Sequence, residues 1–397
     1  MTNYDFTTKL KEKLEGFTIS EDPLLEMMKL LLDKIIEIEV SQIVGANKGE
    51  HSKERKTHLS GTRPRQFDTR LGTIDLKIPK VRNGGYVPFF VNAKQRSEQA
   101  LMQVVQEAWV NGISTRKIEK LAKAMGIEKL SASQVSQINK GLDEMVENFR
   151  SRALEAEYPI IWVDALYEKI REDNHVQNMA VMVVKGVNLE GKGQILAIEP
   201  MLRESEETYT HLFKSLKERG LKDVWLCVSD AHKGLQAAIR KEFLGSSWQR
   251  CKVHFMRNIL AYVGHRAKDS FAKELKHIWL QPTLDQAHFY ANSLITKYQD
   301  KLPKAIECLE EGLEDSLQFY RFEKIDHRKI SSTNNLERLN REIRRRSRVV
   351  GIFPSIDSYI RLITSYLIED DEDWITNRSY ISVQTLTEQR IKLKETA

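Results

Sequence analysis

Three cysteines in 397 residues, Cys227, Cys251 and Cys308, are too few and of the wrong parity for a disulfide framework, which points to a reducing compartment. No apolar run approaches the roughly 18 residues that a membrane-spanning helix needs. The opening residues, MTNYDFTTKLKEKLEG, have no apolar core of the kind that marks a signal peptide. Internal repeats and low-complexity tracts are also missing, which excludes solenoid and linker-like architectures. These absences predict a cytoplasmic protein without a membrane partner.

What is present is a soluble globular composition, 41% hydrophobic and 30% charged, in a chain long enough for two to four domains. A net charge of +6 carries little meaning if it is spread evenly, so its placement matters more than its size. Residues 1 to 47 read as two helices, the second entered through Asp22 and Pro23. From Lys53 to Arg82 the chain turns basic, with nine Lys or Arg against three acids, and TIDLKIP alternates like a half-exposed strand. Such a segment, with Arg63, Arg65 and Arg70, suits a phosphate backbone, and equally a solvated linker. Residues 97 to 147 read as three helices separated at Gly112 and Gly126, the third starting at Ser131 with a capping box to Gln134. The last two fit a helix-turn-helix in which Ser133, Gln134, Ser136, Gln137 and Lys140 approach a DNA groove. Many glycine-linked helix pairs bind no nucleic acid.

Residues 159 to 245 change period. Three strand-length apolar stretches are followed by a helix, a fourth strand and another helix, which predicts a meander joined by a crossover. An all-helical block follows, then further helices. The expected fold is therefore an α/β core, a mixed sheet flanked by helices and interrupted by an all-helical insertion, behind a mainly helical N-terminal region with a short β segment. The divisions fall at 1–50 (helical), 51–96 (basic, β-containing), 97–150 (helix-turn-helix), 158–253 (core, first part), 254–328 (insertion), 329–375 (core, C-terminal helices) and 376–397 (a tail without a clear apolar face).

Asp164 interrupts an apolar strand, where a charge is costly without a partner or a metal. Asp230 ends the fourth strand, at the carboxyl edge where functional groups gather in open α/β sheets. Glu337 opens a helix in SSTNNLERLNREIRRRSRVVGIFP. A strand acid, a strand-end acid and a helix acid can converge on two Mg²⁺ ions about 3.5–4 Å apart. Each also has an ordinary reading: Asp164 held by backbone N–H groups, Asp230 capping the next helix, Glu337 forming a capping-box pair with Asn334. After Glu337, six arginines between 338 and 348 (338, 341, 344, 345, 346 and 348) face one acid, Glu342. That density predicts phosphate contact, above all by Arg338, Arg341, Arg344, Arg345 and Arg348.

The segments WVDALYEKIRED, VSDAHKGLQAAI, WQRCKVHFMRNIL and STNNLERLNREIRRRSRVVGIFP closely resemble the Mutator-type transposases of prokaryotic insertion sequences. So do TRLGTIDLKIPKVRNGGY and GISTRKIEKLAKAMG, and the likeness runs in order from about residue 50 to 375. LSGTRPR departs from a run that the family often carries there. The resemblance implies an RNase H-like domain with a DDE triad at Asp164, Asp230 and Glu337, split by a helical insertion. It implies two Mg²⁺ ions, replaceable by Mn²⁺, nicking and strand transfer at terminal inverted repeats, and a circular intermediate. The family's Cys-x-x-His signature falls on Cys251 and His254. Alone it is half a zinc site at most, so it reads as an element beside the active site, with His254 near the scissile phosphate. Pairing two DNA ends implies a homodimer or higher assembly on DNA. A nuclease that only cuts, and a domesticated DNA-binding regulator, are the alternative readings.

Overall fold

The structure, a computed structural model, describes residues 22–46, 55–82, 86–91, 97–127, 130–154, 157–376 and 379–395. The expected first helix within residues 1 to 21 lies outside them. The chain forms two compact units, Met1–Gly141 and Leu142–Ala397. No helix among the described residues is long and apolar enough to cross a membrane.

In the first unit, α1 (Pro23–Val44) starts where expected, with Asp22 accepting the Leu25 N–H at 3.1 Å and Pro23 in the first turn. Its buried stripe, Leu32, Ile36, Val40 and Val44, recurs every four residues and packs on Ile74, Leu76 and Ile78. Those residues lie on β2 (Gly72–Val81), the strand predicted from TIDLKIP. Its antiparallel partner β1 (Leu59–Thr69) went unrecognised in the sequence, because its first six residues are exposed and lack an apolar face. Three helices follow: α2 (Gln99–Val110), α3 (Thr115–Ala124) and α4 (Ala132–Asn139). The single helix expected from Ser131 to Phe149 is broken by a 3₁₀ turn, Lys140–Leu142, around Gly141, and resumes as α5 (Asp143–Ser151), which belongs to the second unit.

The second unit is built on a mixed five-stranded sheet in the order β5-β4-β3-β6-β7. β3 (Ile160–Glu172), β4 (His175–Val187) and β5 (Gly193–Met201) form the predicted antiparallel meander. α6 (Glu206–Glu218) crosses over to β6 (Leu226–Ser229), which runs parallel to β3, and α7 (Lys233–Glu242) leads to β7 (Ser247–Arg250), parallel to β6. β7 was hidden in the sequence: four residues of mixed polarity carry too little pattern to mark a strand. On one face Ile161, Val163, Met182 and Val184 pack against Leu212, Phe213, Leu216, Leu235 and Ile239 of α6 and α7. The two helices touch at Gly234, where an added Cβ would lie 2.8 Å from the Glu206 backbone nitrogen.

The insertion starts as α8 (Lys252–Ala261) and α9 (His265–Lys276), a single expected helical run broken near Gly264, and continues through α10 (Leu284–Tyr298) and α11 (Pro303–Ser316). After the short α12 (His327–Ile330), α13 (Asn334–Val350) and α14 (Ile356–Thr376) cover the other face of the sheet. α13 turns Leu336, Leu339, Asn340 and Ile343 inward at helical spacing and keeps most of its arginines outward. The last 20 residues contain α15 (Val383–Glu395), which buries Leu386 and Gln389 in spite of its weak apolar pattern.

One charge sits inside this second face. Lys185 of β4 is 1% exposed, with Nζ 3.2 Å from the centre of the Trp374 ring. Burial pulls its pKa down to about 8, against the opposing charges of Asp370 and Asp371.

Two predictions follow from this packing. Gly234→Ala should lower unfolding stability by about 1–3 kcal/mol in urea titration, because backbone atoms cannot yield to the new methyl; an unchanged midpoint would show that α6 and α7 slide freely. Between about pH 8 and 10.5 the unfolded chain carries a proton at Lys185 that the folded chain has lost, so stability from this group rises with pH. The stability of the wild type relative to Lys185→Met should therefore improve by about 2 kcal/mol from pH ~7.5 to pH ~10. A pH-independent difference would mean that burial leaves the ammonium unperturbed.

Candidate active site

The parallel pairing of β3 with β6 sets the site. Its last register pair is Val163 with Ser229, so the next residues, Asp164 within β3 and Asp230 just past the end of β6, stand at the same level. Asp230 does not cap the following helix: the N-cap of α7 is His232, and Asp230 Oδ1 accepts the N–H of its own neighbour Ala231 at 2.7 Å. Asp164 lies on the face covered by α13, where Asn340 Nδ2 donates to its Oδ2 at 2.7 Å. Burial raises the Asp164 pKa to about 6; the carboxylates of Asp230 and Glu337 push the same way, while His254 and the Ala165 N–H oppose them.

Glu337 is not a capping-box acid. The N-cap of α13 is Thr333, without a side-chain cap bond, so the N3 position that a capping box requires is Leu336. Glu337 is one residue further on and turns toward the sheet edge, with Oε1 3.6 Å from Nη2 of Arg257 on α8. Asp164, His254, Arg257, Glu337 and Asn340 line one open cleft of about 640 Å³. Its outer wall carries Arg341, Arg344, Arg345 and Arg348. Arg338 is separated from these four and lines a different cavity on the other side of α13. The helix twist explains this, since residues three and four apart share a face but a run of six arginines cannot. Arg346 is also turned away, buried against the Tyr366 ring at 3.6 Å and bonded to Glu342.

The Cys-x-x-His pair joins three elements. Cys251 is the N-cap residue of α8; its N–H donates to Ser229 O, and its Sγ accepts both the N–H and the hydroxyl of Thr333 at 3.4 Å. The end of β6, the start of the insertion and the entry to α13 are thereby held together. Burial pushes the Cys251 thiol up, but contact with His254 and the Thr333 hydroxyl outweighs it and the net shift is downward. The Cys251 sulfur raises His254 to about 9 against burial, with Asp230 and Asp164 adding to the pull. His254 therefore faces the acids as a cation, and its buried Nδ1 has no hydrogen-bond partner.

The donor chemistry suits a hard divalent cation: two carboxylates at one level of adjacent strands, one desolvated, with a third on the facing helix. The three are not drawn into one coordination sphere, however. Among the described residues no group of three His, Cys, Asp or Glu stands at metal-holding spacing. Asp164 is held by Asn340, and Glu337 leans toward Arg257.

The residues assigned to DNA contact in the first unit are mostly at the surface. Ser133, Gln137 and Lys140 are exposed, whereas Gln134 is engaged in the capping box, its Oε1 accepting the Ser131 N–H at 2.9 Å. Arg63 donates to Tyr86 O at 3.0 Å, Arg70 pairs with Glu98 at 3.3 Å, and Arg65 is half-buried.

A model of the transposase Mutator family matches residues 1–377. The chain belongs to the Mutator family of transposases. It is 37% identical over 377 residues, 95% of each chain, to the transposase for insertion sequence element ISRM5 of Rhizobium meliloti. It is 39% identical over 379 residues, 95% of this chain and 91% of the relative, to the transposase for IS1081 of Mycobacterium tuberculosis. With the transposase for IS256 in transposon Tn4001 of Staphylococcus aureus, identity is 37% over 388 residues, 96% of this chain and 99% of that one. Membership assigns the chain the role of a transposase, an enzyme of DNA cleavage and strand transfer.

Sequence reasoning missed Asn340 and Arg257. Each stands three residues after a chosen one, Glu337 or His254, on the same helical face, so i, i+3 spacing was the available signal. Asn340→Ala should lower the turnover of DNA cleavage about 10–100-fold while leaving DNA affinity within about twofold, as for an outer residue that orients a reacting carboxylate. Equal turnover with an unchanged melting curve would remove Asn340 from the site.

Proposed function

We propose that the chain is a DDE transposase whose RNase H-like core uses Asp164, Asp230 and Glu337 to nick and join DNA at the terminal inverted repeats of its own element. The observation that carries this reading is the cleft in which the Asp164 strand, the Glu337 helix and four arginines meet, beside Asp230 at the end of the neighbouring strand.

The three carboxylates would hold two Mg²⁺ ions, or Mn²⁺ in their place, and these supply activation of the attacking oxygen and neutralisation of the leaving one. Glu337 has to leave Arg257 to take part, and DNA phosphates offer Arg257 the alternative partner. Asn340 fixes the rotamer of Asp164, so one carboxylate oxygen is presented to the cleft. Arg341, Arg344, Arg345 and Arg348 grip the phosphates on either side of the cut. His254, protonated at neutral pH, donates an N–H to the phosphate under attack. In the first step water adds to phosphorus and a 3′-hydroxyl leaves. In the second step that hydroxyl attacks another phosphodiester, whose own 3′-oxygen departs, so the bond count is conserved and no covalent enzyme intermediate forms.

The helices of the first unit, with α3 and α4 as a helix-turn-helix, and the β1–β2 ribbon would recognise the repeats. Exposed Ser133, Gln137 and Lys140 are the candidates for base and phosphate contact. Two ends must be held together, so a homodimer or larger assembly would form on DNA, in the cytoplasm at the nucleoid. A nuclease that only cuts would share the acids but yield no joined product.

An end-cleavage and strand-transfer assay tests the reading. It uses DNA from the flanks of the native reading frame with Mg²⁺ or Mn²⁺. Wild type should nick and join, and Glu337→Gln should bind the same DNA but lose both steps by about a hundredfold or more. Nicking without joining would favour the nuclease, and full activity in the variant would place the third acid elsewhere.

A further inference from the structure

Behind α13, on the side away from the catalytic cleft, lies a second cavity of about 520 Å³. Its walls carry Lys185, Lys329, Asn335, Arg338, Trp374 and Tyr380. Lys185 is buried to 1% exposure, and its ammonium rests on the face of Trp374, 3.2 Å from the ring centre. An ammonium has three N–H donors and an aromatic face satisfies them poorly, so a buried one calls for an oxygen partner. Asn335 uses its Oδ1 on the Leu336 N–H, and its buried Nδ2 has no partner among the described residues. Arg338, which unlike Arg341, Arg344, Arg345 and Arg348 does not line the catalytic cleft, is exposed at the rim. Lys329 already donates to the Tyr380 carbonyl at 2.5 Å and adds its charge.

Two acids also line the space. Glu342 is committed to Arg345 and Arg346, each at 3.0 Å, and Asp370 accepts from the Tyr366 hydroxyl at 3.5 Å and partly balances Lys185. Facing them are the donors of Lys185, Lys329, Asn335 and Arg338, from three separate elements. Trp374 is itself held in place by close packing: a Cβ on Gly193 would come within 2.5 Å of its ring. Cationic and amide donors set among the Trp374 and Tyr380 rings match an oxyanion attached to a flat ring, and the volume suits one nucleotide.

We propose that this cavity binds the phosphate of a nucleotide unit, with Lys185, Asn335 and Arg338 on the phosphate oxygens and Trp374 and Tyr380 beside the base. The unit belongs either to a DNA strand that passes behind α13 or to a free nucleotide. The site does not depend on catalysis, so it can be tested with no divalent metal present.

The test is isothermal titration calorimetry of the full chain with deoxythymidine monophosphate and, separately, with a short single-stranded oligothymidylate. Wild type should bind the mononucleotide saturably, and Lys185→Met and Arg338→Gln should each weaken it at least about tenfold. Because Lys185 is buried and its replacement can disturb folding, Arg338→Gln, at an exposed position, decides alone if Lys185→Met fails to fold. The exposed Lys214→Met is the control and should leave affinity unchanged. Oligonucleotide binding that tightens well beyond the mononucleotide and still falls in Arg338→Gln identifies a DNA strand. Equal affinity for both probes identifies a free nucleotide. Absence of saturable binding in wild type, or binding lost only when Arg344 and Arg345 are replaced by Gln, overturns the proposal and returns all phosphate contact to the catalytic cleft. Either result leaves the cleavage reading to be judged by its own assay.

Discussion

Where β6 ends beside the middle of β3, parallel pairing puts two carboxylates side by side on a hydrophobic sheet. Burial raises the cost of ionising Asp164, and the carboxylates of Asp230 and Glu337 add to that cost. Much of the surrounding structure reads as compensation. Asn340 donates to one oxygen of Asp164, His254 is kept protonated near both acids, and Arg257 stands across from Glu337. These contacts help the folded chain to tolerate the acids.

α13 is the second dependency, because it works on three sides. Its apolar stripe is pressed to the sheet; Ser347 donates to Glu168 of β3 at 2.9 Å, which keeps the helix alongside the strand that carries Asp164. One flank presents Glu337 and four arginines to the cleft, while the other presents Arg338 to the rear cavity. A straight helix with 3.6 residues per turn cannot send a dense arginine run to one place. The division between the two flanks is a consequence of geometry rather than of composition.

The helical insertion is coupled to this helix through Cys251. That residue begins α8 and takes two hydrogen bonds from Thr333, the residue that begins α13. Because His254 and Arg257 follow on α8 at three-residue intervals, the same tie that anchors the insertion aims both side chains into the cleft. Cys251 thus acts as a clasp between the insertion and α13.

Much of this was written locally. Apolar period told strand from helix across residues 159 to 245, the start of α1 was marked by Asp22 and Pro23, and the three acids stood out because each broke a local pattern or ended an element. The order of the motifs was enough to place the chain in its family. Short-range signals could not reveal β1 and β7, which are polar or very short, nor the breaks at Gly141 and Gly264, where an apolar period runs on through a turn. Nor could they show which arginine faces which cavity, that Leu336 rather than Glu337 occupies the capping position, or that Asn340 holds Asp164 across 176 residues of chain. Those facts depend on strand register and helix rotation, which long-range packing sets and no stretch of sequence contains by itself.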